Sequence, residues 1–176
     1  MKEVLFKLNE LRFEISFKSS EELRLILSFY ETQNIKKLNI PCKNNLKKSF
    51  LLNSIKITRE EFPSIDLIPH YSIQHQFQKN SLNTENDLIQ YLSVVKSLGC
   101  HEVLIISGSQ KRKTLDSVLA LSRIKYNSIF SNRNLYTGIA FNPYLPELLF
   151  EDEILRLISK LNTGIVSSIW FQFGTD

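Results

Sequence analysis

The residues best placed to do chemistry lie in Ser107-Gly108-Ser109-Gln110-Lys111-Arg112-Lys113. This stretch follows the apolar run Val103-Leu104-Ile105-Ile106, and Thr114 after it opens an amphipathic pattern. A buried strand, a small-residue loop, cations and a helix N-terminus are the parts of an anion site at the carboxyl end of a parallel strand. Cations ahead of a helix N-terminus oppose the helix dipole, which is unfavourable unless an anion sits among them. Lys111, Arg112 and Lys113 are therefore candidate contacts to a phosphate, a pyrophosphate or a carboxylate tail; the plain alternative is a solvated basic loop.

If that loop marks a functional face, other strand ends must bring polar groups to it. Glu14 sits between apolar residues in LRFEISF, and a carboxyl held there can act as a general acid if burial raises its pKa. His70 follows Pro69 at the end of another strand pattern; a lone histidine there is either a ligand contact or a satisfied structural residue. Gln172 offers an amide donor and acceptor, and the alternation Ile169, Phe171, Phe173 puts it on the opposite strand face. His75 and His101 show no partner pattern, and no grouping of His, Cys, Asp and Glu suggests a metal.

The elements that must position these residues alternate. Residues 11–17 (LRFEISF) read as a strand. Ser19 or Ser20 then caps a helix with Glu21 and Glu22 in its first turn and Leu23, Ile26, Leu27 and Tyr30 on one face. Residues 37–41 form a short strand stopped by Pro41, and 44–61 a helix broken before Pro63. Residues 66–73 (DLIPHYSI) are a third strand. Thr84, with Asp87, is expected to cap the next helix, whose stripe is Leu88, Leu92, Val95 and Leu98 and whose stop is Gly99. The central strand and basic loop follow, then a helix opening at Thr114. Residues 135–141 (LYTGIAF) are a fifth strand. The next helix carries Glu151, Asp152 and Glu153 in its first turn and stops at Gly164, and 166–173 (VSSIWFQF) are a sixth strand. Strand–helix alternation implies a parallel sheet covered by helices, either an open doubly wound sheet or a (β/α)8 barrel. No Gly-x-Gly-x-x-Gly follows the first strand. A barrel takes ~250 residues, so this chain would fall short of one.

At 176 residues, 43% hydrophobic and 23% charged, the composition suits a single globular domain. No apolar run approaches the ~20 residues of a membrane span. The start of the chain has no secretory pattern, and Cys42 and Cys100 form neither a disulfide framework nor a metal motif. The expected location is the cytoplasm. The net charge of +4 is spread along the chain, with no basic face interleaved with aromatics, so nucleic acid is not an expected partner.

Four strand ends resemble the methylenetetrahydrofolate reductase family. Phe13-Glu14-Ile15-Ser16-Phe17 is similar to that family's first-strand Phe-Glu-Phe-Phe-Pro-Pro, and Pro69-His70-Tyr71-Ser72 to its third-strand Pro-His-Leu-Thr. Residues 140–147 resemble Ala-Tyr-Pro-Glu-x-His-Pro-Glu and keep Pro146 and Glu147. Residues 157–176 resemble Leu-x-x-Lys-x-x-x-Gly…Thr-Gln-Phe-Phe-Phe-Asp through Lys160, Gly164, Gln172, Phe173 and Asp176. The resemblance covers nearly the whole chain. It departs after the fourth strand, where Ser107 and Ser109 replace the family's Arg and Asp. It departs again at Phe17-Lys18 in place of twin prolines and at Pro41-Cys42-Lys43 in place of Thr-Tyr-Gly.

The resemblance implies an α/β fold of the (β/α)8 TIM-barrel type, incomplete, with about six βα units ending on the sixth strand, in one partial-barrel domain over 1–176. It implies an oxidoreductase of folate one-carbon metabolism and methionine biosynthesis. Such an enzyme reduces 5,10-methylenetetrahydrofolate to 5-methyltetrahydrofolate, with hydride passing from NAD(P)H through FAD. Glu14 would be the acid that protonates the folate nitrogen as the methylene bridge opens to an iminium. His70, Ser107, Gly108, Ser109 and Lys160 would contact the flavin, with the two serines weakening that assignment. Gln172 and Glu153 would bind the folate. The alternative is a non-catalytic barrel relative that holds a folate-like or phosphorylated ligand through the loop from Ser109 to Lys113. The expected partner is a small molecule, together with either a homo-oligomer or a chain completing the barrel.

Overall fold

The computed structural model describes residues 11–43, 47–107, 115–130 and 134–171. They alternate as β1 (Arg12–Glu14), α1 (Ser20–Thr32), β2 (Lys37–Ile40), α2 (Lys48–Glu61), β3 (Asp66–Ser72) and α3 (Ser81–Ser97). β4 (Glu102–Ile106), α4 (Ser117–Ile124), β5 (Tyr136–Phe141), α5 (Glu147–Leu161) and β6 (Val166–Phe171) follow, with a 3₁₀ turn at Ser128–Phe130 ahead of β5. The strands pair in parallel in the order β1-β2-β3-β4-β5-β6. Strand order equal to sequence order, with a helix between each pair, is barrel winding; a doubly wound sheet reverses its order at a switch point. The fold is an incomplete (β/α) barrel of six parallel strands, curled with its helices outside.

The helix-facing side of the sheet is apolar. Leu38, Ile40, Leu67, Tyr71, Val103 and Ile105 pack against Leu23 and Leu27 of α1, Leu51 and Ile55 of α2, and Leu88, Leu92 and Val95 of α3, all buried. Helical spacing on the helices and alternation on the strands put these residues on facing surfaces. Buried hydroxyls within α2 are satisfied locally: Ser54 donates to the Phe50 carbonyl at 2.8 Å and Thr58 to the Ser54 carbonyl at 2.9 Å. Tyr71 and Tyr91 stack at 5.1 Å. The Tyr71 hydroxyl donates to Asp87 at 2.9 Å, and Asp87 also pairs with Lys48, so α2, β3 and α3 share one polar junction beneath the core.

Ser19 caps α1 as expected, accepting from the Glu22 amide at 3.2 Å. Elsewhere the helix starts differ from the sequence reading. The cap of α3 is Asn80, which accepts from the Asn83 amide at 2.8 Å. Thr84 lies inside the helix, fully buried, and its hydroxyl donates to the Asn80 carbonyl and accepts from the Gln78 amide. Both Asn80 and Thr84 are cap-type residues; the one followed by a helical turn before the apolar stripe took the role. Asn80→Ala is expected to destabilise the fold by about 1 kcal/mol, read as a lower urea midpoint at unchanged slope. Similarly, α5 begins at Glu147, one turn before the acids 151–153 expected in its first turn. Gly99, at φ +78°, follows the end of α3 in the left-handed conformation expected of a helix stop.

The sheet's two edges carry exposed apolar surface. On α1, Leu25 and Phe29 are exposed beside β1, and on α5 and β6 so are Leu155, Ile158, Leu161, Ile169 and Phe171. Among the described residues no helix is long and apolar enough to cross a membrane.

Candidate functional site

Strand alternation decides which side chains reach the concave face. Phe13 packs on Tyr30 of α1 at 5.7 Å, so it faces the helices and its neighbours Arg12 and Glu14 face the inside of the curl. Glu14 is in register with Asn39, and Asn39 with Ile68, which places His70, two residues on, on the same face. Tyr71, the next residue, faces α3.

Glu14 and His70 therefore meet: the carboxylate lies 3.9 Å from Nδ1 of His70. The expectation that Glu14 is buried is corrected. Its side chain is 51% exposed at the open edge of the sheet, whereas His70 is 5% exposed. Burial pushes the His70 imidazole down to about 4, so the ring is neutral at neutral pH. The half-exposed carboxylate, screened by water, does not offset that burial. A carboxylate facing Nδ1 favours the neutral tautomer with its proton there, which leaves Nε2 as an acceptor. That nitrogen is buried and has no hydrogen-bond partner among the described residues. The same holds for Oδ1 of Asn39, which is 4% exposed. Sequence reasoning missed Asn39, although a polar residue between buried Leu38 and Ile40 in a short strand was the signal for it.

A second polar cluster lies further round the concave face. Glu102 of β4 accepts from the Ser168 hydroxyl of β6, and the Trp170 indole donates to Ser168 at 2.8 Å. The Arg12 guanidinium stands 6.0 Å from the Trp170 ring centre, which joins β1 to β6 across the curl, and it also pairs with Asp66 of β3.

The remaining sequence candidates divide. Ser107 is committed to the fold: its hydroxyl accepts from the Ser117 amide at 3.0 Å and donates to the Ser117 hydroxyl at 2.8 Å, anchoring the start of α4. Lys160 is 4% exposed, donates to the Ala140 carbonyl at 3.3 Å and lies 3.8 Å from Glu153. Burial pushes its ammonium pKa down, opposed by Glu153. Glu153 also pairs with Arg156 at 3.3 Å, and Arg156 with Asp116 at 2.6 Å. This network ties α5 to α4 and to β5 and is separate from Glu14 and His70. Gly108, Ser109, Lys111, Arg112, Lys113 and Gln172 lie outside the described residues.

A bound flavin can be tested against these positions. His70 has an unpartnered ring nitrogen to offer, but the Ser107 hydroxyl and the Lys160 ammonium are both engaged within the chain. Ser107 and Lys160 thus hold elements of the fold together, and the unpartnered polar atoms on the concave face are those of Asn39 and His70 among the described residues. Among them, no group of three or more His, Cys, Asp and Glu could hold a metal ion.

No protein-family model matches the chain, and no curated protein matches it. Among solved structures it is similar to N-acetylneuraminate lyase from Fusobacterium nucleatum, with a TM-score of 0.59 and 13% sequence identity. The likeness covers 93% of this chain and 56% of that one, so the chain spans a little over half the length of the protein it matches. At that identity the likeness shows the barrel fold alone.

Proposed function

We propose that this barrel binds a folate-type small molecule at the carboxyl ends of β1–β3 and reduces it, with Glu14 as proton donor. The observation that carries this reading is Glu14, a carboxyl on the concave face, half open to an entering ligand and 3.9 Å from the neutral imidazole of His70. In the reaction the resemblance implies, the methylene carbon of 5,10-methylenetetrahydrofolate bridges two nitrogens. Glu14 gives its proton to one nitrogen as that C–N bond breaks, and the other nitrogen's lone pair forms the iminium. Hydride from NAD(P)H then reduces the iminium carbon to a methyl group. A positioned general acid contributes about 10²–10⁴-fold. The protein supplied with methylenetetrahydrofolate, NAD(P)H and FAD is therefore expected to oxidise the nicotinamide, and Glu14→Gln to lower that rate by about a hundredfold with little change in folding. Absence of turnover in the wild type, or a Glu14→Gln enzyme as fast as wild type, rejects the reading. Flavin absorbance of the purified protein after dialysis reports the cofactor independently.

One observation favours a second reading, a barrel relative that binds the ligand without reducing it. Ser107 stands where the resemblance places a flavin-contacting Arg, and its hydroxyl is spent on the start of α4. That reading predicts folate binding by calorimetry with no nicotinamide oxidation.

A further inference from the structure

Buried polar atoms in folded proteins nearly always have partners. Here two acceptors lack them, Asn39 Oδ1 and His70 Nε2, each in a side chain more than nine-tenths buried. They are neighbours: Asn39 on β2 is in register with Ile68 on β3, and His70 is the next residue of β3 on that face. Glu14, in register with Asn39 from the other side, adds a carboxylate 3.9 Å from His70. The three groups are thus acceptors gathered on one patch of the concave face, with Glu14 at its solvent side.

A fold that shields acceptors without donors is less stable than one with apolar residues in their place, because each buried unpartnered group keeps its desolvation penalty. A ligand bringing N–H groups relieves that penalty, and one bringing oxygens or ring lone pairs adds to it.

We propose that Asn39, His70 and Glu14 form a binding site for a flat ligand edge carrying adjacent N–H donors, the pattern of an amidine, a guanidine or a 2-aminopyrimidine. The assignment rests on the reading above for the place of the site and adds Asn39, which that reading does not use. A 2-amino group beside a ring N–H presents three hydrogens to three acceptors. Replacing the amino group by a carbonyl sets lone pair against lone pair, and sites built on buried hydrogen bonds reject such analogues strongly.

The probes are isocytosine, with a 2-amino group, and uracil, with a carbonyl at the same position. Binding is followed by the ¹⁵N shift of the His70 ring in the full chain, with no nicotinamide or flavin present. Isocytosine is expected to bind at least about tenfold more tightly than uracil and to move the Nε2 signal from a free to a hydrogen-bonded acceptor. Asn39→Leu is expected to reduce that preference to about twofold or less while raising the melting temperature of the ligand-free protein, since it removes a buried unpartnered acceptor. Asn39→Asp, which keeps an acceptor, is expected to retain the preference. The proposal is overturned if uracil binds as well as isocytosine, if neither binds at millimolar concentration, or if Asn39→Leu keeps the full preference. Because no turnover is measured, these outcomes stand apart from success or failure of the reductase assay.

Discussion

Gly138→Ala is expected to destabilise the protein by about 3 kcal/mol, the upper end of what overpacking a well-filled interior costs. Gly138 lies mid-way along β5. A Cβ there would stand 2.7 Å from the Trp170 indole nitrogen and 2.8 Å from both the Glu102 carboxylate and the Ser168 hydroxyl. A single flexible side chain could move aside. Here the three atoms are hydrogen-bonded to one another, through Ser168, and the indole is rigid, so relieving one contact disturbs the others. The strain arises from space and not from backbone angle; among the described residues the positive-φ glycines are Gly99 and Gly164. Trp170 is the chain's single tryptophan, so its fluorescence should report the disturbance directly, alongside a lower urea midpoint. Trimming the ring in Gly138→Ala/Trp170→Phe is expected to recover a large part of the loss, a coupling that a double-mutant cycle measures. Additive effects of the two substitutions would show that the indole is not what the methyl group meets.

The same residue shows how far the sequence carried. A glycine inside LYTGIAF is a sign of close approach by another group, but only the parallel pairing of Gly138 with Ser168 and Leu104 reveals which group. The βα alternation was legible because buried strands such as Val103-Leu104-Ile105 and amphipathic helices such as α1 follow different periods. Glu14 and His70 were legible as inward-facing strand residues for the same reason. Their 3.9 Å approach was not, because it depends on the register of three strands. Asn39 carried the same local signal and was passed over in a strand of four residues. Lys160 and Ser107 show the opposite case. Their types and positions suggested a ligand, while the partners that consume them, Glu153 and the Ala140 carbonyl for one and Ser117 for the other, became visible only once α4 and α5 were docked.

Lowering the pH is expected to weaken the fold through His70. Burial depresses its folded-state value to about 4, against an ordinary value of 6.5 in the unfolded chain. Above pH 6.5 both states hold the neutral ring and the group adds no pH dependence. As the pH falls from 6.5 towards 4 the unfolded chain takes up a proton that the folded ring refuses, so stability is lost across that window. The loss levels off below 4, where both states are protonated. The total is about 3 kcal/mol for a shift of this size. Urea midpoints measured across the window are expected to fall for the wild type and to fall less for His70→Leu, the difference isolating this ring from the carboxylates that titrate nearby. An NMR titration of the His70 ring places the midpoint directly. A value at or above 6.5 would show that the Glu14 carboxylate at 3.9 Å outweighs burial and that the ring is cationic in the working range. The outcome bears on the site as well as on stability. A ring that resists protonation until about pH 4 stays uncharged throughout the neutral range and keeps Nε2 free to accept a hydrogen bond, whereas a cationic ring would turn Nε2 into a donor and pair with the Glu14 carboxylate.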